Sequence, residues 1–245
     1  MLDVASEQRA LLAEIEPHAD PVYREGSLRV VRTRLILYGV RMPDLQEIAR
    51  AWQQAHPQVT RDELLALVEA LWHAPSHEER VCAMLLLLRT KRLARTLRWE
   101  DFDRWRRLVD NWGLDDLLAT KIFGPWVLLE PTSRLAHLET LVGDADVWSR
   151  RLALVATVPL NRTQPGRLMP ELTFGLVDRV KGERDPMITK AVSWALRELA
   201  RSEPEHVAAY VEANRGALAA HAVREVHNKL RTGLKSGKER GGAHS

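Results

Sequence analysis

Apolar side chains recur at helical spacing along almost the whole chain, and this pattern constrains the fold more than any other feature. Leu11, Leu12 and Ile15 follow it near the N-terminus, and residues 64–71 repeat it farther along. Spacings of three and four residues place such side chains on one face of an α-helix. No segment alternates apolar and polar residues over several positions, and no Asn-Gly or Asp-Gly hairpin signal occurs. The sequence therefore predicts an all-α protein.

Two segments start with a capping-box pattern, in which a hydroxyl side chain precedes a glutamate by three residues. They are Thr60-Arg-Asp-Glu63 and Ser76-His-Glu-Glu79. Breaks between helices are predicted at Met42-Pro43, His56-Pro57, Gly124-Pro125, Glu130-Pro131, Asp144, Asp185-Pro186 and Ser202-Glu-Pro204. About a dozen helices with short loops fit between these marks. The stretch from Pro159 to Pro170 is predicted to be the main loop.

Composition narrows the class of protein. Of the 245 residues, 45% are hydrophobic and 28% are charged, which is typical of a soluble globular chain. The longest apolar run, Val81–Leu88, is far shorter than the roughly 20 residues of a membrane helix. Cys82 is the single cysteine, which excludes a disulfide framework and a cysteine-based zinc site. We expect a protein of a bacterial-type cytosol with no membrane partner.

Basic residues are concentrated in two stretches, although the net charge is only +3. The first holds Arg89, Lys91, Arg92, Arg95 and Arg98, and the second holds Lys229, Arg231, Lys235, Lys238 and Arg240. Contact with the phosphates of a nucleic acid is one interpretation of such stretches. A solvated helix face is the other.

Four residues form the most informative constellation in the chain. Trp112 and Asp116 stand four apart, on one face of a predicted helix. Arg151 follows Asp116 by 35 residues, and Trp194 follows Arg151 by 43. These intervals are near the length of a HEAT or armadillo repeat, so all four side chains could project into one groove of a solenoid. Spacing alone does not choose between Asp115 and Asp116, or between Arg150 and Arg151.

Three sequence blocks carry a resemblance to a known family. They are Asn111-Trp-Gly-Leu-Asp-Asp116, Val147-Trp-Ser-Arg-Arg151 and Lys190-Ala-Val-Ser-Trp-Ala-Leu-Arg-Glu198. With Tyr38-Gly-Val-Arg-Met-Pro43 and Ser76-His-Glu-Glu-Arg80, the chain resembles the AlkD-like DNA alkylation repair glycosylases from about residue 28 to 211. The resemblance implies an all-α, curved solenoid of HEAT-like repeats whose concave basic groove holds duplex DNA. Members of this family excise positively charged N3- and N7-alkylated purines.

The resemblance also assigns roles to individual residues. Asp116 matches the catalytic aspartate, Trp112 and Trp194 match tryptophans of the cleft, and Arg151 matches the groove arginine. We expect a phosphate track beside them, formed by Arg106, Arg107, Arg150 and Lys190. Val30 stands where the family usually offers an aromatic side chain. We further expect one domain over residues 1–232, a disordered basic tail over 233–245, and a monomer.

The chemistry of a cationic lesion suits these residue types. An alkylated purine leaves as a neutral base, so no strong general acid is required. Asp116 would stabilise the oxocarbenium-like sugar and position water. A charge pair at about 4 Å with an effective dielectric near 20 is worth about 4 kcal/mol, or on the order of a thousandfold in rate. We predict no metal, no organic cofactor and no lysine Schiff base.

Two other functions compete with this one. The first is a HEAT-repeat protein that binds distorted or branched DNA without cutting it, and the second is a scaffold that binds proteins. Most tryptophans of helical proteins are packing residues. We therefore assign to the core Trp52, Trp72, Trp99, Trp105, Trp126 and Trp148.

Overall fold

The computed structural model describes residues 2–162 and 170–237, and this part of the chain is helical with no β-sheet. The predicted all-α, helical-repeat class is confirmed. The α-helices are α1 (Val4–Ile15), α2 (Pro21–Val30), α3 (Met42–Ala55), α4 (Arg61–Trp72), α5 (His77–Arg89), α6 (Lys91–Ala94), α7 (Trp99–Arg106), α8 (Trp112–Leu117), α9 (Gly124–Leu129), α10 (Pro131–Val142), α11 (Val147–Asn161), α12 (Pro170–Val180), α13 (Pro186–Leu199), α14 (Pro204–Ala213) and α15 (Ala220–Thr232). A 3-10 turn spans Glu16–His18 and a π-helical turn spans Leu118–Phe123.

The helices form two compact units, residues 1–129 and 130–245. The expectation of one domain over residues 1–232 stays a prediction. More helices are present in the described ranges than the dozen expected, because short pieces such as α6, α8 and α9 carry too few residues to show a period.

The first unit is built around α5, which is buried along almost its whole length. Helices α3 and α4 pack against it, and α8 contacts it as well. Trp72 and Trp105 are fully buried, with ring centroids 6.0 Å apart. Trp52 and Trp126 are buried as well, so four of the six tryptophans assigned to the core lie there. These large side chains supply much of the apolar area that stabilises the unit.

The second unit is a stack of helical hairpins. Helix α11 packs against α10 and α13, and α13 packs against α15. Helices α12 and α14 are the first members of the hairpins that α13 and α15 complete. Successive inner helices begin at Val147, Pro186 and Ala220, so the repeat is 39 and then 34 residues. Each hairpin covers the apolar face of its neighbour, as in helical-repeat proteins.

Local signals placed most helix starts correctly. The Thr60 side chain and Glu63 form the predicted capping box at α4. At α5 the Ser76 hydroxyl accepts from the Glu79 amide and donates to the Glu79 carboxylate, so half of the predicted box is present. Both caps satisfy amides that the first helical turn would otherwise leave without a partner.

Two predicted breaks are wrong. Pro159 lies inside α11, which continues to Asn161 and closes with an amide bond from Arg162 to the Val158 carbonyl. A proline is tolerated there because it removes one bond near the end of the helix. Gly124-Pro125 begins α9 directly after the π-helical turn. The backbone N–H that Pro125 lacks is therefore at a position where the hydrogen-bond pattern already changes. Residues 163–169 of the predicted loop lie outside the described residues.

Helix α15 ends at Thr232, where the tail was predicted to begin. Gly233 has a φ of 73° and donates its amide to the Lys229 carbonyl, which is a left-handed helix cap. Lys235 then returns to α15, where its ammonium lies 3.3 Å from the Glu225 carboxylate. The start of the tail is therefore ordered against α15, and residues 238–245 lie outside the described residues. Among the described helices, none combines the length and apolarity needed to cross a membrane.

Candidate functional site

Helix α8 carries the first half of the constellation. The buried Asn111 side chain caps it by accepting from the Leu114 amide at 3.1 Å. Within this six-residue helix, Trp112 and Asp116 are both partly exposed, whereas Asp115 is 1% exposed. Burial thus separates the two carboxylates that spacing left equivalent, and Asp116 is the one that solvent reaches.

The helix widens directly after Asp116. Leu118–Phe123 forms the π-helical turn, and the Thr120 hydroxyl donates to the Asp116 carbonyl at 2.7 Å. Single π turns inside helices are frequent at functional sites, because they change the direction of the side chains around them. Asp116 therefore lies near the end of the regular helix α8, and the Thr120 hydroxyl holds its backbone carbonyl.

A distant segment of the chain holds the other end of α8. The indole nitrogen of Trp112 donates to the Val30 carbonyl at 3.0 Å. Next to it, Asp110 accepts from the Thr33 hydroxyl at 2.7 Å and from the Arg34 amide at 2.8 Å. Val30 is 61% exposed. The structure therefore brings Trp112 to the backbone of Val30, where the resemblance predicts an aromatic residue, and the Val30 side chain is exposed.

Glu78 fixes the segment that carries these contacts. Its buried carboxylate accepts from the amides of Tyr38, Gly39 and Val40 through one oxygen, at 3.0, 2.8 and 3.2 Å. Gly39 has a φ of 83°, and a Cβ there would lie 2.5 Å from the Asp20 carbonyl, so only glycine fits. The roles of Glu78 and Asp110 could not be predicted from the sequence, because their partners lie 38–77 residues away and no local pattern indicates them.

His77 lies beneath the first turn of α8. A Cβ built on Gly113 would stand 3.4 Å from the His77 Nε2 atom, so the glycine lets the helix approach the ring closely. Burial lowers the pKa of His77 against the opposing influence of Glu78 and Asp110. The imidazole is therefore neutral near pH 7, and it serves as packing against Gly113 rather than as a surface cation.

The second unit holds the other two residues on regular helices. Arg151 is 4% exposed on α11, and its guanidinium donates to the Met187 carbonyl on α13 at 2.7 Å. Trp194 lies on the same helix as Met187, seven residues and two turns later, and is partly exposed. Lys190 lies between them on this face and is exposed. The structure therefore joins Arg151 to the helix that presents Trp194 and Lys190.

The residues predicted to form a phosphate track differ in what they contact. The Arg150 guanidinium binds both Glu183 oxygens at 3.0 Å and also donates to the Asp144 and Ala145 carbonyls. A phosphate contact from Arg150 stays a prediction, and it would require exchanging these partners. Lys190 makes no side-chain hydrogen bond or ion pair to any described residue, so its ammonium is available without exchange.

Arg106 and Arg107 share one carboxylate. Arg106 is 6% exposed, and both arginines bind Asp103, at 2.7 and 3.0 Å. Burial opposes ionisation of Asp103, but the hydrogen bonds from Arg107 and Arg106 outweigh it and lower the pKa of Asp103. The Arg107 side chain is 63% exposed and is the better placed of the two for a phosphate, which also stays a prediction.

Ion pairs support the helix of Trp194. Glu198 is 7% exposed and binds Arg162 at 2.9 Å, and Arg197 lies 3.7 Å from Glu225 on α15. Arg197 and Glu198 therefore both take part in ion pairs that connect α13 to other parts of the second unit. Elsewhere, burial raises the pKa of the Cys82 thiol to about 12, so it is not a thiolate nucleophile near neutral pH. Within the described residues, no cluster of three acidic, histidine or cysteine side chains could hold a metal ion.

Comparison with known proteins assigns the family. Residues 11–230 match the model of the DNA alkylation repair enzyme family, which is most of the chain. The chain therefore belongs to the DNA alkylation repair enzyme family. No curated protein matches it.

Two solved structures are similar to the chain. A predicted DNA alkylation repair enzyme from Enterococcus faecalis superposes with a TM-score of 0.70 at 19% identity, over 86% of this chain and 96% of the other. This similarity shows a shared fold. The alkylpurine DNA glycosylase AlkC of Pseudomonas fluorescens, bound to DNA containing an abasic site analog, gives a TM-score of 0.47 at 18% identity. That match covers 92% of this chain and 62% of the other.

Proposed function

We propose that this protein is a monofunctional DNA glycosylase that removes cationic N3- or N7-alkylated purines from duplex DNA and leaves an abasic site. The observation that carries the proposal is the exposure of the side chains on α8, in a chain that belongs to this family. Asp116 is partly exposed, Trp112 lies one turn before it, and Asp115 is buried. A reactive carboxylate needs that access and a backbone held in place, and both are present.

In the proposed reaction, water replaces the alkylated base at C1′ of the deoxyribose. The C1′–N bond breaks with its electron pair moving to the base, which leaves neutral because it started with a positive charge. Asp116 stabilises the positive charge that develops on the sugar, and it accepts the proton of the attacking water. The function needs neither a metal nor an organic cofactor, and we propose that the protein acts as a monomer.

Each remaining residue has a separate role in the proposal. Trp112 and Trp194 contact the nucleotide through their ring faces, whose negative quadrupole density suits a cationic base or sugar, at about 0.5–2 kcal/mol each. Arg151 binds a backbone phosphate, and Lys190 extends that contact without sequence preference. The partial exposure of both tryptophans and the exposure of Lys190 support these roles. The 4% exposure of Arg151 means that a phosphate would have to approach a nearly covered guanidinium.

The test is release of free base from a duplex with one N7-methylguanine. We expect release above the spontaneous rate by the wild type and by Asp62→Asn, and none by Asp116→Asn. Asp62 is a matched control, because its carboxylate is 93% exposed on α4. Equal activity of Asp116→Asn and the wild type would reject the assigned role. A covalent adduct trapped by borohydride would instead show a lysine Schiff base and reject the monofunctional reaction.

A second candidate function is the binding of distorted or branched DNA without base excision. The exposed aliphatic side chain of Val30, in place of an aromatic, favours it. Tight duplex binding with no release from N7-methylguanine or a bulky N3-adenine adduct would support this alternative. A protein-binding scaffold would show no DNA affinity with the log–log salt dependence of several phosphate contacts.

A further inference from the structure

An apolar pocket of about 240 Å³ lies at the C-terminal end of α5, within the first unit. Leu87, Ile122, Trp126 and Leu129 form its floor and walls. The first turn of α8 contacts the opposite end of α5, at His77. No residue of α8 lines the pocket, so it is distinct from the surface that carries Trp112 and Asp116.

All of the charged residues that line the pocket are cationic. Lys91, Arg95 and Lys121 line it, and no acidic residue does. All three are exposed, and none makes a side-chain hydrogen bond or ion pair to any described residue. In contrast, Arg104 and Arg107 of this unit are paired with carboxylates. Three unneutralised cations around an apolar floor are complementary to an anion with an apolar part.

A larger polar groove of about 780 Å³ continues from Lys91, which lines both cavities. Arg61, Arg89 and Arg92 line this groove, and again no acidic residue does. Arg61 and Arg89 make partial contacts, to Asp62 and to the Gln46 carbonyl, while Arg92 adds a further exposed charge. The composite surface is therefore one apolar pocket with an extended basic groove leading away from it.

We propose that this surface binds an acidic segment of a partner protein, with one large apolar side chain in the pocket and carboxylates along the groove. The pocket is smaller than the roughly 300–1,000 Å³ of small-molecule sites, and this size suits a single side chain. The groove volume of about 780 Å³ leaves room for further residues of a peptide. Duplex DNA could meet the cations with its phosphates, but it has no apolar side chain to fill the pocket. The proposal does not depend on glycosylase activity.

The first experiment measures binding of a fluorescein-labelled peptide by anisotropy with the full chain. The probe is a short run of aspartates that ends in leucine and phenylalanine, and its control has serine in place of the phenylalanine. We expect the control peptide to bind on the order of tenfold more weakly, because it cannot fill the pocket. Absence of binding by the first peptide, or equal binding of the two, would overturn the proposal.

Variants of the protein locate the contact. Lys121→Glu and Leu129→Ser should each weaken binding about tenfold, since both positions are exposed at the pocket. The matched controls are Arg9→Glu and Leu28→Ser, which change exposed residues elsewhere in the first unit and should bind like the wild type. Equal weakening by the controls would overturn the proposal. Displacement of the peptide by unmodified duplex, with duplex affinity also lost in Lys121→Glu, would assign the surface to DNA instead.

Discussion

In the first unit, Trp112 and Asp116 lie on a six-residue helix that is held by hydrogen bonds from residues about 80 positions away. In the second unit, Arg151 and Trp194 lie on helices of 15 and 14 residues that belong to a regular stack. The first arrangement depends on a few polar contacts over a long sequence distance. The second depends on apolar packing between neighbouring hairpins. Trp112 and Asp116 are therefore held mainly by polar contacts, and Arg151 and Trp194 mainly by helix packing. Single substitutions should distinguish these two kinds of support.

The largest effect should come from the carboxylate that the first unit exposes. Asp116→Asn removes a charge and almost no volume, so we expect single-turnover excision to fall on the order of a thousandfold. Duplex affinity and melting temperature should stay unchanged, because Asp116 is partly exposed. A loss of melting temperature similar to that of a buried-residue variant would show that the carboxylate supports the fold instead.

The second largest effect should come from Glu78, which anchors the backbone of residues 38–40. Glu78→Gln replaces a charged acceptor of three amide bonds with a neutral one. The difference between charged and neutral hydrogen bonds is about 1 kcal/mol each, so the free energy of unfolding should fall by about 3 kcal/mol. Urea unfolding measures this change, with Glu100→Gln as an exposed control on α7. A loss no greater than that of the control would mean that the segment is held by other contacts.

The second unit should respond differently at Arg151 and Lys190. Arg151→Met removes a buried donor to the Met187 carbonyl and should lower the free energy of unfolding by about 2 kcal/mol, while also weakening duplex binding. Lys190→Met should weaken duplex binding alone, because its side chain is exposed. Melting curves and salt-dependent binding isotherms distinguish the two. Equal losses of stability in the two variants would contradict the expectation that the buried Arg151 supports the fold and the exposed Lys190 does not.

A smaller effect is expected from the indole nitrogen of Trp112. Trp112→Phe keeps an aromatic face but removes the bond to the Val30 carbonyl, at a cost of about 1 kcal/mol. We expect excision to fall several-fold, about what this energy allows. Trp194→Phe is the comparison, because among the described residues the Trp194 indole makes no hydrogen bond to a distant segment of the chain. Equal losses would indicate that the ring area matters and the hydrogen bond does not.

The smallest effect is a pH dependence far from the constellation. Hydrogen bonds from Thr60 and Leu2 lower the pKa of Glu63 to about 2. Because this folded value lies below the unfolded value of about 4.3, the stabilisation is present above that pH and is lost as the pH falls toward 2. Thr60→Ala removes the hydroxyl and should raise the pKa of Glu63, which an NMR titration would detect. An unchanged titration would show that the backbone amides alone set the value.

Local patterns predicted the helices well and the exceptions poorly. The capping box at Thr60 and the end of α15 at Thr232 are short-range features, and the sequence pattern located both. Pro125 and Pro159 were wrongly predicted to break helices. The energetic cost of a proline in a helix depends on whether the amide hydrogen bond that it removes would otherwise form, and a local pattern does not show this. The choice between Asp115 and Asp116 by exposure could not be predicted, since it depends on how α8 packs against α5.

The sequence by itself determined the helical class, most helix starts and the residue types of the candidate site, because these follow from spacing, capping and propensity over a few residues. The tertiary structure alone decided that Glu78 and Asp110 hold the segment beside Trp112. It also decided that Arg150 is engaged by Glu183 while Lys190 is open to solvent. Such contacts join residues tens of positions apart, and they form only where packing brings the partners together and removes water from their polar groups.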